Sequence, residues 1–328
     1  MPEKFHYPDN ALIMAPLSGF TDLAYRRAAR KCGCVFAFTE MVDAASLAYA
    51  NGGGDALLLR GAEEEFFATQ LVGGDPEILK RACEKLNASE FTLLDFNLGC
   101  PVPKVVKKGA GAALGQNIAH AHKCFAVLAQ ESRFQLSAKL RILDDYDPAP
   151  TLDLCAGLVS CGATALTIHG RTRENFYTGE VRFDIIRAVR ESFPQVQVIA
   201  NGGVNSAETY RIMQARTGCS QVMLAQGIMG NPWLFRELSG VHPEPPTLTE
   251  WKDVVRFHVR EMVALYGETS AMRQARKIVH DYLKGRGFAA SLRAEASGLT
   301  VFADLEKLLS HAEPAAFTTS CRRIAPGN

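Results

Sequence analysis

The chain has 328 residues, 47% hydrophobic and 22% charged, and its 36 Lys+Arg nearly cancel 35 Asp+Glu to leave a formal charge of +1. Such a chain buries a large core, which excludes a disordered, collagenous or coiled-coil protein. Taken whole, its charge also argues against coating nucleic acid by bulk attraction.

In chain order, residues 1–10 carry Glu3, Lys4, His6 and Asp9 and offer no apolar signal segment. Short apolar runs then alternate with amphipathic stretches. Strands are predicted at 11–16, 35–41, 66–72, 92–97, 136–141, 165–169, 196–200 and 221–225, with helices at 22–31, 76–86, 118–129, 152–160, 184–191 and 207–215. Val198-Ile199-Ala200 and Phe36-Ala37-Phe38 barely alternate, as strands covered on both faces do. The alternation predicts an α/β fold, a (β/α)8 TIM barrel; a doubly wound open sheet is the alternative, because periodicity alone cannot close a barrel.

Residues 242–246, His-Pro-Glu-Pro-Pro, form a rigid non-helical linker. Helices follow at 249–266, 271–285, 291–298 and 302–311, with Thr249 as the expected N-cap of the first, and the end from about Thr318 is expected to fray. The organisation is thus a barrel over 1–240 and a small C-terminal helical domain over 248–328.

Charge is divided unevenly between them. The tail holds 12 Lys+Arg and 9 Asp+Glu, which leaves the remainder at −2. Within it, Arg273, Arg276, Lys277, Lys284, Arg286 and Arg293 face only Asp281. That stretch is either a solvated helix face or a surface that tracks phosphates. The nine cysteines, Cys32, Cys34, Cys83, Cys100, Cys124, Cys155, Cys161, Cys219 and Cys321, contain no C-x-x-C pair. No apolar run approaches a membrane span, so a cytoplasmic protein with reduced thiols is expected.

Catalysis in a barrel belongs at the C-terminal ends of the strands. There the sequence places Pro16-Leu17-Ser18, Gln70, Asn97-Leu98-Gly99-Cys100-Pro101, Lys139, Arg141, His169-Gly170-Arg171-Thr172-Arg173, Asn201-Gly202-Gly203 and Ala225-Gln226-Gly227. The glycines after strands seven and eight suit a bound phosphate, because backbone N–H groups can approach an anion where no Cβ intervenes. Lys139 in an apolar strand stabilises negative charge, or else snorkels at the rim. Gln70 and Asn97 offer donors and acceptors suited to a pyrimidine-like ring edge. Cys100 sits in a loop rather than a core, and its thiol, protonated near neutrality, is a candidate proton donor. After it, Lys104, Lys107 and Lys108 precede a run of Gly and Ala, a mobile basic lid or merely solvated lysines. His169 has no Asp, Glu or His at ligand spacing, so a cofactor phosphate is expected there and no metal. Arg141, Arg171 and Arg173 are expected to project around the mouth as a basic rim.

With these residues the chain resembles the tRNA-dihydrouridine synthases along nearly its whole length. The resemblance is carried by Met14-Ala15-Pro16-Leu17-Ser18-Gly19-Phe20-Thr21-Asp22, Gln70-Leu71-Val72-Gly73-Gly74-Asp75-Pro76, Asn97-Leu98-Gly99-Cys100-Pro101, Lys139, residues 168–173, Asn201-Gly202-Gly203 and Gly230-Asn231-Pro232-Trp233. It implies an FMN barrel with a helical tRNA-binding domain, and NADPH- or NADH-driven reduction of the C5=C6 bond of particular tRNA uridines. FMN would be held by Pro16, Leu17, Ser18, Gln70, Lys139 and His169, with Asn97 against the flavin or the uracil. Its phosphate would lie against Asn201, Gly202, Gly203, Ala225 and Gln226. Cys100 would protonate C5, and the tRNA would be gripped by Lys104, Arg141, Arg171, Arg173, Arg273, Lys277 and Lys284. Gln226 stands where the family usually has Arg, so weaker FMN retention is expected. Leu17 stands where many members have Met. A monomer is the default. The competing readings are an FMN barrel acting on a free pyrimidine, which needs no basic tail, and a tRNA-binding protein that has lost catalysis, which the intact Cys100, Lys139 and Gln70 oppose.

Overall fold

The computed structural model describes residues 5–49, 56–240, 243–313 and 317. Eight strands, β1 (Leu12–Met14), β2 (Phe36–Asp43), β3 (Ala68–Val72), β4 (Leu93–Leu98), β5 (Gln135–Arg141), β6 (Ala165–His169), β7 (Gln197–Asn201) and β8 (Val222–Leu224), form one closed barrel. Every neighbouring pair is parallel, and β1 closes the ring by pairing with both β2 and β8. The open-sheet alternative is thereby excluded. Each strand falls within two residues of its predicted bounds, because buried β-branched and aliphatic runs are short and end at polar turns.

The barrel is plugged at one end. Phe5, Tyr7, Phe36 and Phe66 pack ring on ring, and the N-terminal segment is tied across the bottom by Phe5 N–H to Gln135 Oε1 and Tyr7 N–H to Gln197 Oε1, each 2.9 Å. Above this plug Ile13, Phe38, Ala68, Leu93, Ala165, Ile199 and Met223 fill the interior. Among the described residues the opposite, C-terminal end of the barrel is the one left without such a plug. Strand register then decides which polar side chains meet there: Gln70 beside Asp95, Asp95 beside Ser137, Asn97 beside Lys139, Arg141 beside His169, and His169 beside Asn201.

Among the described residues four helices follow the barrel, Leu248–Tyr266, Glu268–Leu283, Ala290–Ser297 and Phe302–His311. The first begins one residue earlier than predicted, so its cap is Thr247, whose extended backbone lets the hydroxyl accept from Glu250 N–H at 3.2 Å; Thr249 lies inside the helix. The bundle docks on the barrel through Arg27–Glu261 (2.7 Å), Tyr266 Oη donating to Asp22 (2.9 Å) and Arg236–Glu250 (2.6 Å). The Gly-Asn-Pro-Trp turn belongs to the same seam. Asn231 Oδ1 accepts from Arg286 at 2.7 Å, and that guanidinium lies 5.3 Å from the buried Trp233 ring. His242, Cys321 and the expected frayed end from Thr318 lie outside the described residues. Among the described residues no helix is long and apolar enough to cross a membrane.

Candidate active site

Cys100 follows β4 in a loop fixed at both of its backbone groups. Its N–H donates to Asn97 Oδ1 at 2.9 Å, and its carbonyl accepts from Ala112 N–H at 3.0 Å. Gly99 N–H also donates to Asn97 Oδ1, at 3.1 Å. The half-buried thiol is pushed above its usual pKa by burial, against the opposing pull of Val102 N–H, Lys139 and Arg141, so it stays protonated near neutrality. Asn97 Nδ2 in turn donates to Gln70 Oε1 at 2.6 Å and contacts Met41 Sδ at 3.2 Å, so its amide is engaged mainly in bracing the cysteine loop.

The segment after Cys100 is folded rather than loose. It contains two short helices, Pro103–Val106 and Ala112–Gln116, with Ala110, Ala112 and Leu114 buried. Lys108 pairs with Asp43 at the end of β2 (2.8 Å), and Gln116 accepts from Arg173 (2.8 Å). Gly111, in the left-handed region at φ 59°, allows the turn to pass under Cys100: a Cβ there would stand 2.7 Å from the Cys100 carbonyl.

Lys139 points into the mouth from β5. Burial and the neighbouring Arg141 pull its pKa down to about 8, with Asp95 opposing, so it is still mainly cationic at neutral pH. His169 is driven well below the normal imidazole range by burial and by the cations Lys139, Arg141 and Arg171, which keeps it neutral. Its Nε2 is buried and has no hydrogen-bond partner among the described residues. A buried polar atom left in that condition needs a ligand or a water. Gly202, at φ 125°, lies beside it: a Cβ there would stand 3.3 Å from Nε2. Asn201 is occupied in joining β7 to β8 through Met223 O at 2.8 Å, while Gly202 and Gly203 present bare backbone. The Arg171 guanidinium lies beside Gly203, with Nη2 3.7 Å from where a Cβ would be. Ala225 and exposed Gln226 follow β8 at this rim. After β1, Pro16, Leu17 and Ser18 form the adjoining lip, where Leu17 N–H donates to Thr21 Oγ1 at 2.9 Å and Gly19 N–H to the Glu40 carboxylate.

Arg141 departs from the expected exposed rim. It is buried, because the loop after β6 folds back over β5 and brings the carbonyls of Thr172 (2.9 Å) and Phe176 (2.6 Å) onto its guanidinium, opposite that of Gly99 (2.9 Å) in the loop after β4. It therefore joins that loop to the cysteine loop. The basic tail stretch is also divided by packing: Arg273, Lys277, Lys284 and Arg293 are exposed, Arg276 is bonded to Leu299 O, and Arg286 is buried in the seam. Lys104 is exposed beside the cysteine loop.

Asp95 was missed in the sequence, where it reads as one polar letter in an apolar strand. Its inward parity with Asn97 was the available signal. It is 1% exposed and accepts from Gln70 Nε2 at 2.7 Å and from Ser137 Oγ. Burial pushes its pKa up to about 6.

A family model described as dihydrouridine synthase matches residues 13–318. Among similar proteins, a tRNA-dihydrouridine synthase B of Pasteurella multocida is 32% identical over 84% of this chain and 84% of its own. One of Pseudomonas aeruginosa is 31% identical over 87% of each chain. A probable tRNA-dihydrouridine synthase of Treponema pallidum is 30% identical over 92% of this chain and 93% of its own.

Proposed function

The chain belongs to the dihydrouridine synthase family, and from that premise we propose that it is a flavin-dependent oxidoreductase reducing the C5=C6 bond of particular uridines in tRNA, with FMN as resident cofactor and NADPH or NADH as transient reductant. The observation that carries this reading is the convergence on one rim of a thiol kept protonated by burial, a half-buried lysine cation and a buried imidazole nitrogen without a partner. The lysine and the imidazole fit a flavin, with the bare glycine backbone beside His169 fitting its phosphate. Pro16, Leu17, Ser18, Gln70, Lys139 and His169 would hold the cofactor, and its phosphate would lie against Asn201, Gly202, Gly203, Ala225 and Gln226. Arg171, beside Gly203, would offer the phosphate a cation, while Gln226, neutral where the family usually has Arg, would still weaken FMN retention.

When bound, the flavin supplies the hydride that reaches C6 of the uracil. Cys100 then gives its proton to C5, held for that transfer by Asn97 and Ala112. Lys139 offsets negative charge at the ring edge. Arg141 holds the cysteine loop to the loop after β6. A uridine stacked in folded tRNA must be swung out to reach this mouth, at a cost of a few kcal/mol. Phosphate contacts offset that cost, from Lys104 and Arg173 at the mouth and from Arg273, Lys277 and Lys284 on the tail. Residues 1–240 are thus the catalytic barrel and 248–328 the tRNA-binding domain, of a monomer working in the cytoplasm.

The test is the dihydrouridine content of tRNA from cells lacking the gene, complemented with either the native chain or Cys100→Ala. The native chain restores a defined dihydrouridine and the variant does not; unchanged tRNA in the deletion, with no second synthase covering that position, refutes the reading. A further result is expected from titration of the binding site. FMN affinity falls by up to about tenfold per pH unit as pH rises through about 8, where Lys139 loses its proton, and Lys139→Met flattens that slope. Fluorescence quenching titrations between pH 6.5 and 9.5 measure it.

A further inference from the structure

The side chains between β3 and β5 form a chain of hydrogen bonds with one direction. Cys100 and Gly99 N–H donate to Asn97 Oδ1, Asn97 Nδ2 donates to Gln70 Oε1, and Gln70 Nε2 donates to Asp95 Oδ2. Ser137 Oγ donates to the other carboxylate oxygen. Every donor points toward Asp95. The two amides are symmetric enough to sit either way round, and nothing in their own chemistry selects one orientation. An ionised carboxylate only accepts, so it forces the Gln70 NH2 toward itself and turns Gln70 Oε1 toward Asn97. That in turn forces Asn97 to present its oxygen to the cysteine loop. Reversing any link would set oxygen against oxygen in a buried site.

We propose that Asp95 is a positioning residue that sets the orientation of Gln70 and Asn97 and, through them, the placement of Cys100 for proton transfer. This rests on the proposed role of Cys100 as proton donor, although the orienting relay itself does not depend on that role. Asp95 touches neither loop nor mouth. Its influence passes along β3 and β4 because strand register stacks Gln70 beside it and places Asn97 one inward position further up.

The relay is tested by amide hydrogen exchange of the full-length chain incubated with FMN, read in the peptide that spans Gly99 and Cys100. Asp95→Asn keeps the shape but adds a donor, so it no longer dictates which way Gln70 lies and is expected to speed exchange there by about threefold or more. Asp95→Leu fills the space without an acceptor and is expected to speed exchange by about tenfold or more, with kcat for tRNA reduction lowered and KM for tRNA unchanged. Gln70→Met breaks the next link without touching Asp95, and produces the same acceleration even where Asp95→Leu fails to fold. Native-like exchange in both Leu and Met variants overturns the proposal, as does native-like exchange in Asp95→Asn. If the native chain reduces no tRNA, the proposed activity fails, but the exchange pattern still decides the relay. If the native chain is active and the exchange is unmoved, only the relay fails.

Discussion

Replacing Cys100 with Ala lowers the rate of uridine reduction by about 10²–10⁴-fold, the range that a positioned proton donor contributes. Bound FMN and affinity for tRNA are retained. The expectation follows from what the loop leaves free. The backbone N–H and carbonyl of Cys100 are taken by Asn97 and Ala112, and Gly111 passes beneath, so removing Sγ leaves the loop in place. The thiol is raised by burial rather than lowered by a base or a helix N-terminus, which is the reverse of what a nucleophilic cysteine requires. It therefore enters the reaction with its proton. Single-turnover reduction of tRNA by the pre-reduced enzyme separates the two steps: re-oxidation of the flavin slows together with dihydrouridine formation. An unaltered single-turnover rate would falsify the assignment of Cys100.

Gly230→Ala is the second large effect, and it acts on the seam between barrel and tail. Gly230 has φ 64°, and a Cβ built there overlaps the Asp281 carbonyl group and comes within 2.5 Å of the Tyr282 amide nitrogen. Those atoms are backbone of the helix Glu268–Leu283, so relief requires moving the helix itself. Overpacking together with a left-handed alanine amounts to about 3–5 kcal/mol of lost stability. Gly240→Ala is the control: its φ is 74° with nothing within 4 Å of the added Cβ, so it should cost only about 1 kcal/mol. Because the same helix carries Arg273 and Lys277, Gly230→Ala also weakens tRNA binding, and limited proteolysis cleaves the tail before the barrel. Equal urea midpoints for the two variants would show that the seam yields without loss.

The eight strands and the cysteine loop were legible because their signals are local. A buried parallel strand is a short apolar run, and a loop cysteine is flanked by Gly99 and Pro101 whatever surrounds it. The longer helices were legible for the same reason, with errors confined to their ends, while the short helices Ala44–Tyr49, Pro103–Val106, Ala112–Gln116 and Leu234–Ser239 were not foreseen; Thr247 and Thr249 are both capping residues, and only the backbone angles separate them. Charge was the reverse case. Arg286 and Arg293 count equally toward the basic tail in the sequence, yet one is buried against Trp233 and Asn231 and the other is exposed. Arg141 looked like a rim residue because its strand ends at the rim. It is a buried clamp because a loop some thirty residues later brings carbonyls over it, a long-range contact that no local pattern encodes.

By itself, therefore, the sequence determined the barrel, the helical tail and the family, since each depends on period, composition or a contiguous motif. The closure of β1 on β8, the direction of the hydrogen bonds from Cys100 to Asp95, the His169 nitrogen beside Gly202 left without a partner among the described residues and the approach of Arg171 to Gly203 were decided only in three dimensions. Each depends on which strands are neighbours and in what register. Register is set by the packing of the closed ring as a whole, and a single strand carries no record of it.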